Sequence, residues 1–401
     1  MIGPYREYFN KNFTTAQYNL FLKTVAEDNG PLPFRLAETP VFIPKDLKEQ
    51  LIAAGQEIIK LISRSDFKEL TAAAIPKEWY VPNENEHPHF LAFDFGICKD
   101  GSGRLVPRLI EMQGFPSLFA LQAQLSNCYT KVFELDQLAT FSPYFTGMTE
   151  QQYIDLLKKV IVGEHAPEEV ALMDVDAPEQ KTAIDFFLTQ KYLGIPVLSL
   201  TDIFKEGDQL FYTKGERKIR LKRIYNRLIF DEVSDRQELF KLSFDPREPL
   251  DVEWITHPNW FYRISKFTMP FLKNEFVPET HFLNTLASIP EDLENYVLKP
   301  LFSFSGKGVI IDIGPSDIEQ ISDPHNWILQ KKVVYDPVIR SPDGLVKAEI
   351  RLLYLWPDGE EPQLCINLVR LSKGKMIGVR YNTDLDWVGG TVGLMDEEIY
   401  K

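Results

Sequence analysis

The segment Phe93-Asp-Phe-Gly-Ile-Cys-Lys-Asp-Gly-Ser-Gly-Arg-Leu-Val-Pro-Arg-Leu-Ile-Glu-Met-Gln-Gly114 decides the fold of this 401-residue chain. Two strand-like stretches, His89 to Cys98 and Arg104 to Gln113, flank Lys-Asp-Gly-Ser-Gly, whose small, turn-forming residues predict a hairpin. Glu111 and Gln113 stand two apart on the second strand and share a face. With the turn centred near Gly101 and Ser102, Asp94 opposes Leu109 and shares that face too, while Pro107 is a place for a bulge that would shift the register. Acidic residues on a hairpin usually form its wet face. Here Leu109, Ile110 and Met112 set Glu111 in an apolar strand, where an unpartnered carboxylate is costly. Two carboxylates and an amide oxygen on one face suit a hard cation that also holds phosphates.

Outward from the hairpin, the first eighty residues read mainly helical, with apolar residues at helical spacing from Asp46 to Leu61, and Ala74 to Pro88 reads as a loop. After the hairpin, Ser117 to Leu138 and Glu150 to Gly163 read as helices. A boundary falls near Ala166. The strand Val170 to Val175, the helix Glu179 to Leu193 closed by Gly194, and the strand Val197 to Leu200 form a βαβ unit with a small parallel sheet, and Ile224 to Arg227 reads as a further strand end. From about Phe267 come strands at Tyr296–Pro300, Val309–Ile313, Trp327–Val334, Ala348–Trp356 and Leu364–Leu371, predicting an antiparallel, lid-like end with few helices.

Composition narrows the function class. A net charge of −14, spread along the chain, argues against a broad nucleic-acid footprint. No apolar run is long enough to span a bilayer, and the first residues lack a signal-peptide pattern. Cys98, Cys128 and Cys365 lie far apart and match neither a disulfide framework nor a zinc site, and no covalent enzyme nucleophile is expected. A reducing cytoplasm fits these features.

A second segment carries chemistry: Tyr296-Val-Leu-Lys-Pro-Leu-Phe-Ser-Phe-Ser-Gly-Lys-Gly-Val309. An apolar strand delivers Lys299, and a small-residue loop follows. Serine and glycine let backbone N–H groups approach phosphate oxygens, and two lysines add positive charge. It is not a Walker loop, because the lysine precedes the loop and no helix plainly follows. By itself, a hairpin loop with surface lysines accounts for it as well as phosphate binding does.

Taken together, the segments resemble the circularly permuted ATP-grasp proteins, most closely the synthetase domain of glutathionylspermidine synthetases. Asp94 followed by Glu111-Met-Gln-Gly-Phe-Pro-Ser117 is similar to that family's metal hairpin. His257-Pro-Asn-Trp260, Ile264-Ser-Lys266 and Pro270-Phe-Leu272 resemble its Pro-X-Trp, Lys and Pro-Leu-Leu stretch. Lys299-Pro-Leu-Phe302 with Gly306 resembles its nucleotide loop, and Ile377-Gly-Val-Arg380 its late Gly-Ile-Arg. These motifs fall in the family's order from about residue 90 onward. Departures are Ala92 in place of Arg, Gln113 in place of Asn, and Phe304 and Ser305 in place of Arg and Glu.

The resemblance implies an α+β and α/β architecture: a circularly permuted ATP-grasp with a small parallel-sheet (pre-ATP-grasp) domain and an antiparallel β lid. Its expected units are 1–165 (helices plus the metal-binding half), 166–265 (the βαβ domain) and 266–401 (the ATP-binding lid and remaining strands). It implies ATP and Mg2+, with Asp94, Glu111 and Gln113 holding the metal. Lys299 with Ser305, Gly306, Lys307 and Gly308 would hold the phosphates, Gln330 and Lys331 would meet adenine, and Arg380 would neutralise the transferred phosphoryl group. Ser117, Arg227, Glu349 and Arg351 stand as substrate-facing residues; for Glu349 and Arg351 a cross-strand salt bridge is an equal reading, and for Arg227 a strand cap. The implied reaction is ATP-dependent joining of a small-molecule or peptide carboxylate to an amine through an acyl phosphate, with no nucleic-acid or membrane partner. Two rivals are a nucleotide-binding protein of this fold without ligase activity, and a phosphotransferase.

Overall fold

The computed structural model describes residues 1–27, 30, 32–229, 233, 236, 238–303, 306–374, 377, 382 and 384–398. At its centre is an antiparallel sheet joining the early hairpin to strands from the end of the chain. Its order runs Gly389–Thr391, Gln363–Ser372, Gly344–Leu355, Phe90–Lys99, Leu105–Gln113, with Ile339–Ser341 paired beside Gly344–Leu355. The two long late strands therefore belong to the hairpin's sheet rather than to the lid-like end predicted for them. Their near-continuous apolar runs follow from cover on both sides.

One sheet face packs under the amphipathic helix Lys45–Ile62, where Leu352 and Tyr354 reach Gly55 and join a core with Phe93, Phe95 and Met112. On the opposite face, Phe90, Ala92, Leu353 and Ile366 pack with Phe119, Ala123 and Tyr153 from the helices Phe119–Val132 and Glu150–Ile161. Further along, this second face turns from apolar to charged.

The expected βαβ unit is present as a four-stranded parallel sheet, ordered Glu253–Ile255, Arg223–Asn226, Val170–Asp174, Val197–Ser199, with the helix Ala183–Leu193 in its crossover. An antiparallel sheet of Ile203–Glu206, Gln209–Lys214 and Arg217–Leu221 follows, which the sequence reading did not single out. A smaller antiparallel sheet, Thr280–Phe282, Trp327–Lys331 and Tyr296–Pro300, has its own core of Leu293, Leu298, Ile313, Ile318 and Leu329. Of the predicted strand Val309–Ile313, only a single bridge, Ile310 to Leu298, forms. Gly314 and Pro315 come directly after it and begin the short helix Pro315–Glu319. Among the described residues no helix is long and apolar enough to cross a membrane. The three cysteines are free and buried, and burial pushes the Cys98 and Cys365 thiols up to about 12, which leaves them inert as nucleophiles at neutral pH.

The hairpin's far end is fixed by backbone. Gly114 N–H donates to Ile264 O at 2.9 Å. A Cβ at Gly114 would lie 2.6 Å from Trp260 O and 2.9 Å from Ile264 Cβ. Gly114→Ala is expected to destabilise by roughly 1–3 kcal/mol through overpacking, whereas Gly101→Ala, at a turn with nothing within 4 Å, is expected to change stability little. Urea unfolding midpoints of the two variants check this; equal midpoints would contradict it.

Candidate functional site

Register decides which side chains share the charged face. From Lys99 paired with Leu105 through Phe95 paired with Leu109 the ladder is regular; then Asp94 pairs with Glu111, leaving Ile110 as an extra residue. The expected pairing of Asp94 with Leu109 is thus corrected. The turn centres half a residue later, on Ser102, and the bulge sits at Ile110 rather than at Pro107, which pairs normally with Ile97. Without this bulge Glu111 would oppose Phe93 and enter the apolar face under helix Lys45–Ile62. With it, Asp94 and Glu111 lie side by side on the other face.

The next two strands extend the row. Arg351 pairs with Asp94, and Glu349 pairs with both Gly96 and Arg370. Arg351 holds Asp94 bidentately, Nε to Oδ1 at 2.5 Å and the second guanidinium nitrogen to Oδ2 at 2.6 Å. Arg370 bridges the two acids, donating to Asp94 Oδ2 at 2.7 Å and to Glu349 Oε1. Tyr335 O–H donates to Glu349 Oε2 at 2.8 Å, its ring lying where a Cβ on Gly96 would be, 2.8 Å from Tyr335 Cε1. Arg351 also donates to Ser117 Oγ at 3.2 Å.

Asp94 is fully buried. Burial pushes its carboxyl up, but the guanidiniums of Arg351 and Arg370 outweigh that and hold it below the usual carboxylate range. For Glu349, burial wins over the pull of Arg370, and its carboxyl rises. The Arg370 guanidinium is stabilised the other way: burial lowers its pKa, but Glu349, Asp94 and Glu111 raise it further. Arg370 and Tyr335 were not singled out from sequence. A lone arginine in the apolar run Leu364–Leu371 is the same signal that marked Glu111.

A cleft brings the two sequence segments together. It is lined by Glu111 and Gln113 from the hairpin, Leu301 to Ser303 from the late loop, and Ser265 and Lys266 between them. Glu111 Oε1 accepts from Gln113 Nε2 at 2.8 Å. Lys299, on the strand Tyr296–Pro300, donates to Gln330 Oε1 at 2.6 Å and to Ile110 O at 3.0 Å. That carbonyl belongs to the bulged residue, which the bulge takes out of strand pairing. Lys266 Nζ donates to Ser303 O at 2.6 Å. Burial lowers the Lys299 pKa to about 8, with Lys266 lowering it further while Glu111, Glu349 and Asp94 oppose.

The remaining candidates divide. Gln330 is buried beside Lys299 and donates to Thr280 Oγ1 at 3.1 Å, whereas Lys331, next along the strand, is exposed on the other side. Gly306 and Gly308 adopt left-handed φ of 69° and 76° in the loop after Lys299, and Lys307 between them is exposed. Arg227 is buried and stacks against Phe115 and Phe186, with its guanidinium donating to Pro116 O, the residue just before the Arg351 partner Ser117. Ser305 and Arg380 lie outside the described residues. His257 and Asn259, in the Pro-X-Trp-like stretch, tie down the Val81–Glu84 loop through Pro82 O, Val81 and Glu84.

No family model matches the sequence, and no curated protein matches it. Among solved structures, the chain is similar to a glutathione synthetase-like effector from Globodera pallida in its apo form, with a TM-score of 0.61 and 10% identity. The match covers 94% of this chain and 96% of that one, so the chain has a glutathione synthetase-like fold.

Proposed function

We propose that the protein is an ATP-dependent carboxylate–amine ligase of the circularly permuted ATP-grasp type. The observation that carries this reading is the cleft in which Lys266 and the late loop, Leu301 to Ser303, meet Glu111 and Gln113 of the early hairpin, with Lys299 bonded nearby to Ile110 O of that hairpin. A fold like that of a glutathione synthetase-like effector supports it. The reading places the ATP phosphates between these segments, with Lys299 and Lys266 as cations and the Gly306–Gly308 turn offering backbone N–H groups. Gln330, buried behind Lys299, borders the nucleotide end.

The expected magnesium set fits in part. Both Asp94 oxygens are held by guanidiniums in a fully buried setting, and among the described residues no group of three or more His, Cys, Asp or Glu is arranged to hold a metal. Glu111 and the Gln113 amide line the cleft and fit as the two protein ligands of an ion completed by phosphates and water. Bound there, magnesium would offset phosphate charge. Asp94 instead positions Arg351 and Arg370, the cations of the sheet face.

In this mechanism an acid's carboxylate oxygen attacks the γ-phosphorus and ADP leaves. The amine nitrogen then attacks the acyl carbon, and phosphate leaves with the bonding pair while the amine loses a proton. Arg370 and Arg351 stabilise the anionic charge of the acid, and Arg380, from outside the described residues, is proposed for the phosphoryl group.

Glu111→Gln is expected to lower ATP turnover at least 100-fold with an unchanged unfolding midpoint; an active variant would sink the metal role of the hairpin. Lys299 is charged below about pH 8 and loses its charge as pH rises through that value. ADP affinity measured by calorimetry without added metal is therefore expected to fall roughly tenfold between pH 7.5 and 9.5, where the nucleotide's own charge changes little. Lys299→Met should flatten that profile; an equally steep one would place the titrating group elsewhere.

A further inference from the structure

Three of the six histidines stand in one chain of charged and titratable groups, where the turn after strand Gly344–Leu355 meets the parallel sheet. Its hub is Asp358, an exposed residue of that turn. Asp358 Oδ1 lies 3.4 Å from His87 Nε2 and 3.2 Å from His89 Nε2, and Oδ2 lies 3.4 Å from a terminal nitrogen of Arg223. Arg223 is buried on strand Arg223–Asn226, so this carboxylate links the central sheet to the parallel one. The arginine is fixed from behind: its Nε lies 3.1 Å from Glu253 Oε2 on the neighbouring strand, and its guanidinium packs over Gly163, where any Cβ would collide with it. His165 Nε2 extends the chain, 3.3 Å from Glu253 Oε1.

Hydrogen-bond partners set the tautomers of the two histidines beside Asp358. Trp260 Nε1–H only donates, so its 2.8 Å contact with Asn85 Oδ1 orients that amide. Asn85 Nδ2 then donates to His87 O at 2.7 Å and faces His89 Nδ1 at 3.4 Å, which leaves the proton of neutral His89 on Nε2. His87 is the reverse. Its Nδ1 lies 3.2 Å from Pro88 O, a carbonyl that only accepts, so its proton is on Nδ1. Neutral His87 therefore turns a bare Nε2 lone pair towards Asp358 Oδ1, its ring stacked 4.6 Å from that of Trp356 and its side chain 16% exposed. Facing lone pairs repel, and a proton on Nε2 converts the contact into an ion pair.

We propose that His87 is a proton-operated latch: as pH falls it takes a proton on Nε2, closes on Asp358 and draws that carboxylate from Arg223, loosening the joint between the central and parallel sheets. This stands apart from the ligase reading. The charged and titratable groups facing His87 are Glu86 on its own loop, His89, Asp358 from the turn and, behind Asp358, Arg223. Burial lowers the His87 pKa most and His89 adds to that, while Pro88 O, Asp358 and Glu86 raise it without restoring the ordinary imidazole value. The folded chain thus takes up this proton less readily than the unfolded one. Stability that neutral His87 contributes is lost as pH falls from the unfolded value, about 6.5, through the folded value. Asp358, held below the usual carboxylate range chiefly by His89, stays ionised across that window.

Nitrogen-15 NMR of the full chain labelled in histidine, with hydrogen exchange, tests the latch. Above neutral pH the ring shifts are expected to place the proton of neutral His87 on Nδ1 and that of neutral His89 on Nε2. Asp358→Asn is expected to lower the His87 midpoint by about 1 unit, because the imidazolium loses its counter-ion. Exchange of the amides of strand Arg223–Asn226, corrected for the intrinsic rate, is expected to quicken at least about threefold between pH 7.5 and 5.5. It should not quicken in His87→Phe, which keeps a ring against Trp356 but takes no proton; should that variant not fold by circular dichroism, His87→Gln serves the same comparison. A proton of neutral His87 found on Nε2, or a His87 midpoint unmoved by Asp358→Asn, would overturn the proposal. So would exchange that does not quicken, or that quickens as much without the imidazole.

Discussion

Two carboxylates and two guanidiniums sit on one face of a sheet that is otherwise packed with Leu, Ile and Phe, and they persist there only as a closed set. An isolated charge in such a place costs far more than a domain's net stability allows. Asp94 meets that constraint by giving each oxygen to a guanidinium, and Glu349 meets it with Arg370 and Tyr335. Replacing such a network by apolar residues is often neutral for stability, while removing one member costs about 3–5 kcal/mol. A network of this kind is therefore poorly explained as a stabiliser. What it does is hold Arg351 and Arg370 rigidly in place on that face.

The array reaches the cleft only because of one inserted residue. Ile110 shifts Glu111 from the apolar face to the charged one, and its carbonyl, taken out of the ladder, accepts from Lys299. A single bulge thus does two things: it aims an acid at the cleft and ties the late strand to the early hairpin. That tie joins segments 189 residues apart, and Gly114 against Trp260 and Ile264 secures the same strand at its other end.

Local pattern made much of this legible. Alternation and the Lys-Asp-Gly-Ser-Gly turn located the hairpin, and the apolar flanks of Glu111 marked it as unlike a wet-face residue. The βαβ unit announced itself by its periodicity switch and by Gly194, whose left-handed φ of 73° ends the helix Ala183–Leu193. What the sequence could not carry was long-range partnership. Arg370 gains meaning only when Gln363–Ser372 lies beside Gly344–Leu355, and nothing local to Asp94 announces the two arginines that bond it from 257 and 276 residues away. The bulge position was equally hidden, since Pro107 is the sequence's obvious irregularity and Ile110 is an ordinary strand residue.

Lys299 shows how such placement becomes function. Its ammonium is buried, and its hydrogen-bond partners among the described residues are two neutral oxygens, the Gln330 amide and the Ile110 carbonyl. Neutral acceptors satisfy its hydrogen bonds without compensating its charge, which is why burial drags its pKa down to about 8 while Glu111, Glu349 and Asp94 pull only partly the other way. A phosphate oxygen would supply both the hydrogen bond and the missing charge, and charge-assisted bonds are roughly twice as strong as neutral ones. The local charge balance of Lys299 is therefore set by its buried neighbours rather than by any tally of residues on a chain whose net charge is −14.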